Sequence, residues 1–137
     1  MRSFLRVAML LSALVVWGAP TAGAQDGLTR RDARGPVTVA VTLLAPPVAG
    51  APLKARIALD THSVDLDVIA LERAVAIRMA DGTEVPPTAV EDARGAGHHR
   101  QAVLVFPPPG PGPVRIVVRD VGEVAERSFS WDVPSAR

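Results

Sequence analysis

The sequence predicts an all-β domain, an antiparallel immunoglobulin-like sandwich of about seven strands that follows a signal peptide. Apolar and polar residues alternate in several short segments, and turn residues recur roughly every eight to twelve positions. The 13 prolines mostly fall between these segments, and no stretch after residue 35 has the apolar stripe of a helix. A cupredoxin-like sandwich or barrel is the close alternative.

The first 24 residues have the three parts of a secretory signal peptide. Arg2 and Arg6 form the basic start, residues 7–17 are apolar and uncharged, and residues 22–24 are small. We therefore expect residues 1–24 to be removed and the mature protein to be periplasmic or secreted. A retained membrane anchor is the alternative, but the apolar run is short for a bilayer span, so no stable membrane span is expected after cleavage.

Charge and cysteine content exclude several classes of protein. Removal of residues 1–24 reduces 15 basic residues to 13 against 14 acidic ones, a formal charge of −1. The remaining arginines are scattered, which is not typical of nucleic-acid binding. The chain has no cysteine, which excludes disulfides, thiolate metal sites and cysteine nucleophiles.

The mature chain begins with a polar stretch and then becomes strand-like. Residues 25–35 show no apolar period and are predicted to be a flexible leader, and residues 36–134 are the predicted sandwich domain. Val37 starts a strand with apolar residues at every second position as far as Leu43. Residues 53–59 alternate in the same way, with Lys54 and Arg56 on the outer face.

The middle of the domain predicts a hairpin. Residues 71–80 alternate as a strand, and Asp81-Gly82 is a typical two-residue turn. The return begins at Thr83, but Pro86-Pro87 cannot donate ladder hydrogen bonds. The return is therefore an edge strand or a loop.

Three further strands complete the prediction: residues 101–106, 114–118 and 128–133. Phe106, Phe129 and Trp131 are the expected aromatic core. Residues 121–124 are predicted to join the last two strands tightly, and Arg127 beside this connection is expected to form surface ion pairs.

All three histidines lie in two polar segments, residues 60–67 and 97–100. Imidazole and carboxylate groups are the usual ligands of zinc and copper when cysteine is absent. The candidate metal ligands are His62, His98, His99, Asp60 and Asp65.

A shared site requires both segments to reach the same end of the sandwich. Whether they do depends on how many strands separate them, which the sequence leaves open. His98 and His99 can share an ion only if the glycines before them let the chain turn. In the alternative, His62 braces a turn and His98-His99 is a solvated loop tip.

These segments also carry a resemblance. The Asp60-Thr61-His62-Ser63 and Gly97-His98-His99-Arg100 segments, with Phe106-Pro107 and residues 127–131, resemble a group of small exported bacterial and archaeal β-sandwich proteins with DTHS and GGHHR segments. The similarity covers about residues 36–133, and Ala96 replaces the first glycine of the second segment. The resemblance implies the fold and no reaction, since that group has no assigned activity.

Two functions remain open at this point, and neither is enzymatic. In the first, the protein is an exported binding module that holds a divalent transition metal, copper or zinc, through its His/Asp cluster. In the second, it is a structural or interaction domain that contacts another envelope protein, and the histidines support loops. Ser63 is not expected to be a nucleophile, because no nucleophile elbow surrounds it.

Overall fold

The computed structural model describes residues 27–135, which fold into two antiparallel sheets. The predicted signal peptide, residues 1–24, lies outside these residues. A single 3₁₀ turn, Leu66–Val68, and one short helix, α1 (Leu71–Ala74), interrupt the strands. The strands are β1 (Thr29–Asp32), β2 (Val37–Leu43), β3 (Leu53–Thr61), β4 (Val75–Arg78), β5 (Glu84–Val85), β6 (Ala89–Ala96), β7 (His99–Phe106), β8 (Gly112–Val121) and β9 (Val124–Val133).

The strand order confirms the predicted all-β sandwich. The five-stranded sheet runs β1-β2-β3-β7-β6, and the four-stranded sheet runs β5-β4-β8-β9. The described part of the chain has nine strands rather than about seven, because β1 and β6 add to the predicted ones.

The core lies between the sheets and follows the period of two seen in the sequence. Every second residue of β2, from Val37 to Leu43, is at most 1% exposed, and β3 repeats this pattern. Phe106, Phe129 and Trp131 are all buried in the same cluster, which confirms the predicted aromatic core.

Part of the predicted flexible leader is a strand. Residues 29–32 form β1, which pairs antiparallel with β2. Its side chains are mostly exposed, so no apolar period marks it in the sequence. This strand and the residues just before it also contact Trp131 of β9. The Trp131 indole donates to the Gly27 carbonyl (3.2 Å), and the Arg30 guanidinium lies 5.4 Å from the centre of the indole ring.

The prediction of one strand over residues 71–80 is only partly correct. Leu71–Ala74 is α1, and the strand is limited to Val75–Arg78. The predicted hairpin is confirmed, because Ile77 pairs with Val85 across the turn. At Pro86-Pro87 the chain leaves this edge strand, and it continues as β6 in the other sheet.

Arg127 was predicted at the surface, but its side chain is fully buried. Its two terminal nitrogens donate to four backbone carbonyls at 2.8–3.4 Å, and Nε has no partner. The acceptors are the carbonyls of Asp32, Arg34, Val37 and Val121. Burial lowers the pKa of the Arg127 guanidinium from its ordinary value, while the Asp32 carboxylate opposes this shift. The group therefore ties β1 and β2 to the β8–β9 hairpin.

Candidate functional site

The two histidine segments meet at one end of the sandwich. Asp60 on β3 pairs in register with His99 on β7. At the end of β3 the Thr61 N–H donates to the His98 carbonyl (3.0 Å), and beyond it the Leu66 N–H donates to the Gly97 carbonyl (2.9 Å). Segments more than 30 positions apart are thus joined through their backbones.

Glycine shapes the hairpin that carries the second segment. Gly97-His98 is the two-residue turn between β6 and β7, with φ of +64° at Gly97, as a type II′ turn requires of its first central residue. A Cβ on Gly95, whose φ is +82°, would lie 2.1 Å from the His99 carbonyl oxygen. The two glycines of this segment are therefore explained by the hairpin.

The first segment folds into a loop through its own short side chains. Thr61 Oγ1 donates to the Pro36 carbonyl (2.7 Å) and accepts from the Ser63 and Val64 N–H groups. Asp65 caps the 3₁₀ turn by accepting from the Asp67 N–H (2.9 Å). Asp65, a predicted metal ligand, is thus used as a cap.

Two more side chains fasten this loop to the hairpin. The Asp67 carboxylate accepts from the Gly97 N–H (3.0 Å). The Arg100 guanidinium donates to the carbonyls of Leu66 (2.6 Å) and Ile69 (2.7 Å). Together with the backbone bonds, these contacts give the polar residues of the two segments a structural role, which is to hold the loop against the hairpin.

Two of the predicted metal ligands, His99 and Asp60, are in direct contact. The His99 Nδ1 lies 2.5 Å from Asp60 Oδ1, and the two side chains are 74% and 48% exposed. The pair sits on the outer face of the five-stranded sheet, between two depressions. One, of about 310 Å³, includes Arg94 and is called here the Arg94 depression. The other, of about 320 Å³, includes Arg31 and is called the Arg31 depression.

The remaining histidines are placed differently. His62 is exposed and lines the Arg31 depression together with Asp60 and His99, whereas His98 is an exposed turn residue that lines neither depression. Between residues 27 and 135, no three His, Cys, Asp or Glu side chains are grouped so as to hold a metal ion. The segments meet as the metal hypothesis requires, but the predicted five residues do not form a ligand set.

The outer face of the five-stranded sheet also carries arginines, which the metal-site prediction did not include. A row of residues in register crosses all five strands and is called here the alanine row; it consists of Arg31, Ala40, Ala58, Gln101 and Arg94. Within residues 27–135, neither Arg31 nor Arg56 on the same face forms an ion pair, whereas Lys54 pairs with Glu91 (3.0 Å).

The outer face of the four-stranded sheet has one arginine without an ion pair among residues 27–135, Arg115, and two that are paired. Arg78 and Arg119 each contact both Glu84 and Glu126, at 2.6–3.2 Å. Hydrogen bonds from Arg119 and Arg78 lower the pKa of Glu84 to about 2. Two cations and two carboxylates thus neutralise one another across four strands.

Comparison with protein-family models, curated proteins and solved structures found no match. In the part of the chain that the structure describes, no helix has the length and apolar character needed to cross a bilayer.

Proposed function

We propose that this chain is an exported, non-enzymatic interaction module whose binding surface is the outer face of the five-stranded sheet beside the Asp60–His99 pair. The observation that carries the proposal is the presence of Arg31 and Arg56 on this face without acidic partners among residues 27–135. Arginines left available at a surface favour recognition of a charged partner.

Two further observations support the proposal. The basic, apolar and small-residue parts of residues 1–24 favour export. At the rim, Thr61, Asp65 and Asp67 bond to backbone groups and hold loops. Polar groups used in this way favour a structural support for a binding surface over a catalytic centre.

A photo-crosslinking experiment tests which face binds. A photoreactive amino acid is placed at Ala58, in the alanine row, and separately at Ser130, which is exposed on the other sheet. In cells that express the protein, we expect adducts from position 58 and few from position 130. Equal adduct formation from both positions, or none from position 58, would overturn the proposal.

One observation favours a second candidate, a transition-metal site. The Asp60 carboxylate and the His99 imidazole are adjacent, and His62 lines the same depression. Exposed side chains can reorient, so these three could bind Cu(II) or Zn(II) by closing around the ion.

Thermal melts with Cu(II), Zn(II) and a chelator test this second candidate. An ion that binds the native state must raise the melting temperature by mass action. The metal candidate requires a shift that disappears in His62→Ala and persists in His98→Ala, the matched control at the hairpin turn. A saturating ion that produces no shift would remove this candidate.

A further inference from the structure

The alanine row, together with the larger side chains on either side of it, is called here the trough. Ala40 and Ala58 are the small central residues of the alanine row, and both are only half-buried. Larger side chains stand on either side of them: Asp60 and His99 towards the rim, and Arg56 towards the opposite end. The trough is open at the surface, so an extended ligand could lie in it.

The two unpaired arginines stand on different strands along this trough. Arg31 is in register with Ala40, and Arg56 is in register with Thr42, two residues further along β2. With strands about 4.8 Å apart and a two-residue repeat of about 6.7 Å, their Cα atoms are about 12 Å apart. Arg31 lines the Arg31 depression, and Arg56 lines a separate depression of about 220 Å³.

The chemistry of the face selects among anionic ligands. A guanidinium fork pairs best with a carboxylate or phosphate. Among the described residues, Phe106, Phe129 and Trp131 are all buried, so no Phe or Trp presents a stacking surface for sugars or nucleobases, and the chain has no Tyr. A peptide needs no such surface, since an extended strand presents side chains at every second position on one face.

We infer that the trough binds an extended acidic peptide segment of a partner protein, with carboxylates two residues apart pairing with Arg31 and Arg56. The carboxylate spacing of about 7 Å in such a segment lies within the reach of two arginines whose Cα atoms are about 12 Å apart. This inference rests on the proposed interaction function and names the chemistry of the partner.

A binding measurement with a defined probe tests the inference. The probe is a dye-labelled peptide of about ten residues in which Glu and Ser alternate, long enough when extended to cross the trough. Its control is the same peptide with Gln in place of Glu. We expect fluorescence anisotropy to show binding of the acidic peptide alone, and this binding to weaken as salt is added.

Arginine variants locate the site. The Arg31→Gln/Arg56→Gln double variant is expected to bind about tenfold more weakly, because both charge-assisted pairs are lost. Arg115→Gln is the matched control: Arg115 is exposed on the other sheet and has no ion pair among residues 27–135. The Arg31→Lys/Arg56→Lys variant keeps the charge without the guanidinium fork. Its affinity for the peptide should lie between those of the wild type and the Arg31→Gln/Arg56→Gln variant.

The outcomes separate this inference from the proposed function. Failure of the acidic peptide to bind, or equal weakening by Arg115→Gln, would overturn the peptide assignment. Crosslinks that persist at position 58 despite that failure would leave the interaction function standing with a different partner. If polygalacturonate displaced the labelled peptide from these arginines at a lower concentration than the unlabelled peptide does, the assigned ligand would be an acidic glycan and not a peptide. Circular dichroism melts confirm that each variant is folded.

Discussion

Arg127 in the interior and Arg100 at the rim differ from Arg31 and Arg56, on the outer face of the five-stranded sheet, in what their guanidinium groups contact. Arg127 and Arg100 donate to backbone carbonyls. Arg31 and Arg56 have neither carbonyl nor carboxylate partners among residues 27–135. The same side chain is therefore structural in one region and available for binding in the other.

This difference shows that the number of hydrogen-bond acceptors around a guanidinium group indicates the function of an arginine. Its charge does not, since the charge is the same in both regions. A buried guanidinium is stabilised only when acceptors surround it, and removing it leaves those acceptors unsatisfied. An exposed guanidinium remains hydrated, so its removal costs the fold little.

Replacement of Arg127 should have the largest effect. Arg127→Met leaves four carbonyls without their donor in a buried position. We expect a loss of about 3–5 kcal/mol in the free energy of unfolding, measured by urea denaturation. Arg127→Lys, which can reach fewer of these carbonyls, should lie between wild type and Met. A Met variant as stable as wild type would contradict the structural function of Arg127.

Replacement of Arg100 should have a smaller and more local effect. Arg100→Met removes the two bonds to the Leu66 and Ile69 carbonyls, with an expected loss of about 1–3 kcal/mol. Hydrogen exchange should quicken at the Leu66 and Thr61 amides, which bond to the hairpin, more than in the core of β3. Uniform quickening throughout the domain would show that the loop does not open separately.

The ion-pair network of the four-stranded sheet should make stability depend on pH. Glu84 has a folded pKa of about 2 against a usual 4.5, so its stabilising contribution is present above pH 4.5 and is lost as pH falls towards about 2. The difference in urea midpoint between wild type and Glu84→Gln should therefore shrink across this range. A difference that stays constant down to pH of about 2 would mean that the network contributes nothing through ionisation.

Replacement of the outer-face arginines should have the smallest effect on stability. Arg31→Gln/Arg56→Gln removes no ion pair among the described residues, so the free energy of unfolding should change by less than about 0.5 kcal/mol. Thermal and urea denaturation measure this directly. A larger loss would show that these arginines stabilise the fold as Arg127 does, and the contrast between the two regions would not hold.

The sequence predicted the parts of the fold in which burial follows a simple period. Strands β2, β3 and β9 are predicted by alternation, because each buries one face against the opposite sheet. Strands β7 and β8 are predicted from compact, nearly continuous apolar runs. β1 was missed because its exposed side chains carry no such period; its pairing depends on β2 and on contacts with β9.

Arg127 was missed although the sequence contained a signal. It lies in phase with Phe129, Trp131 and Val133, so its side chain must point into the core. The meeting of the two histidine segments could not be predicted. It depends on the crossover from one sheet to the other after Pro86-Pro87, and local periodicity does not specify which sheet a short strand joins.

Strand β6 has a consequence for behaviour at high concentration. It is an eight-residue sheet edge whose side chains are all exposed, a form that can recruit other chains into fibrils. A bulge between Glu91 and Arg94, with φ of +47° at Asp92, breaks the regular ladder in the middle of the strand. The Lys54–Glu91 and Arg94–Asp92 pairs place charges along the same stretch. This edge is thereby protected against self-association.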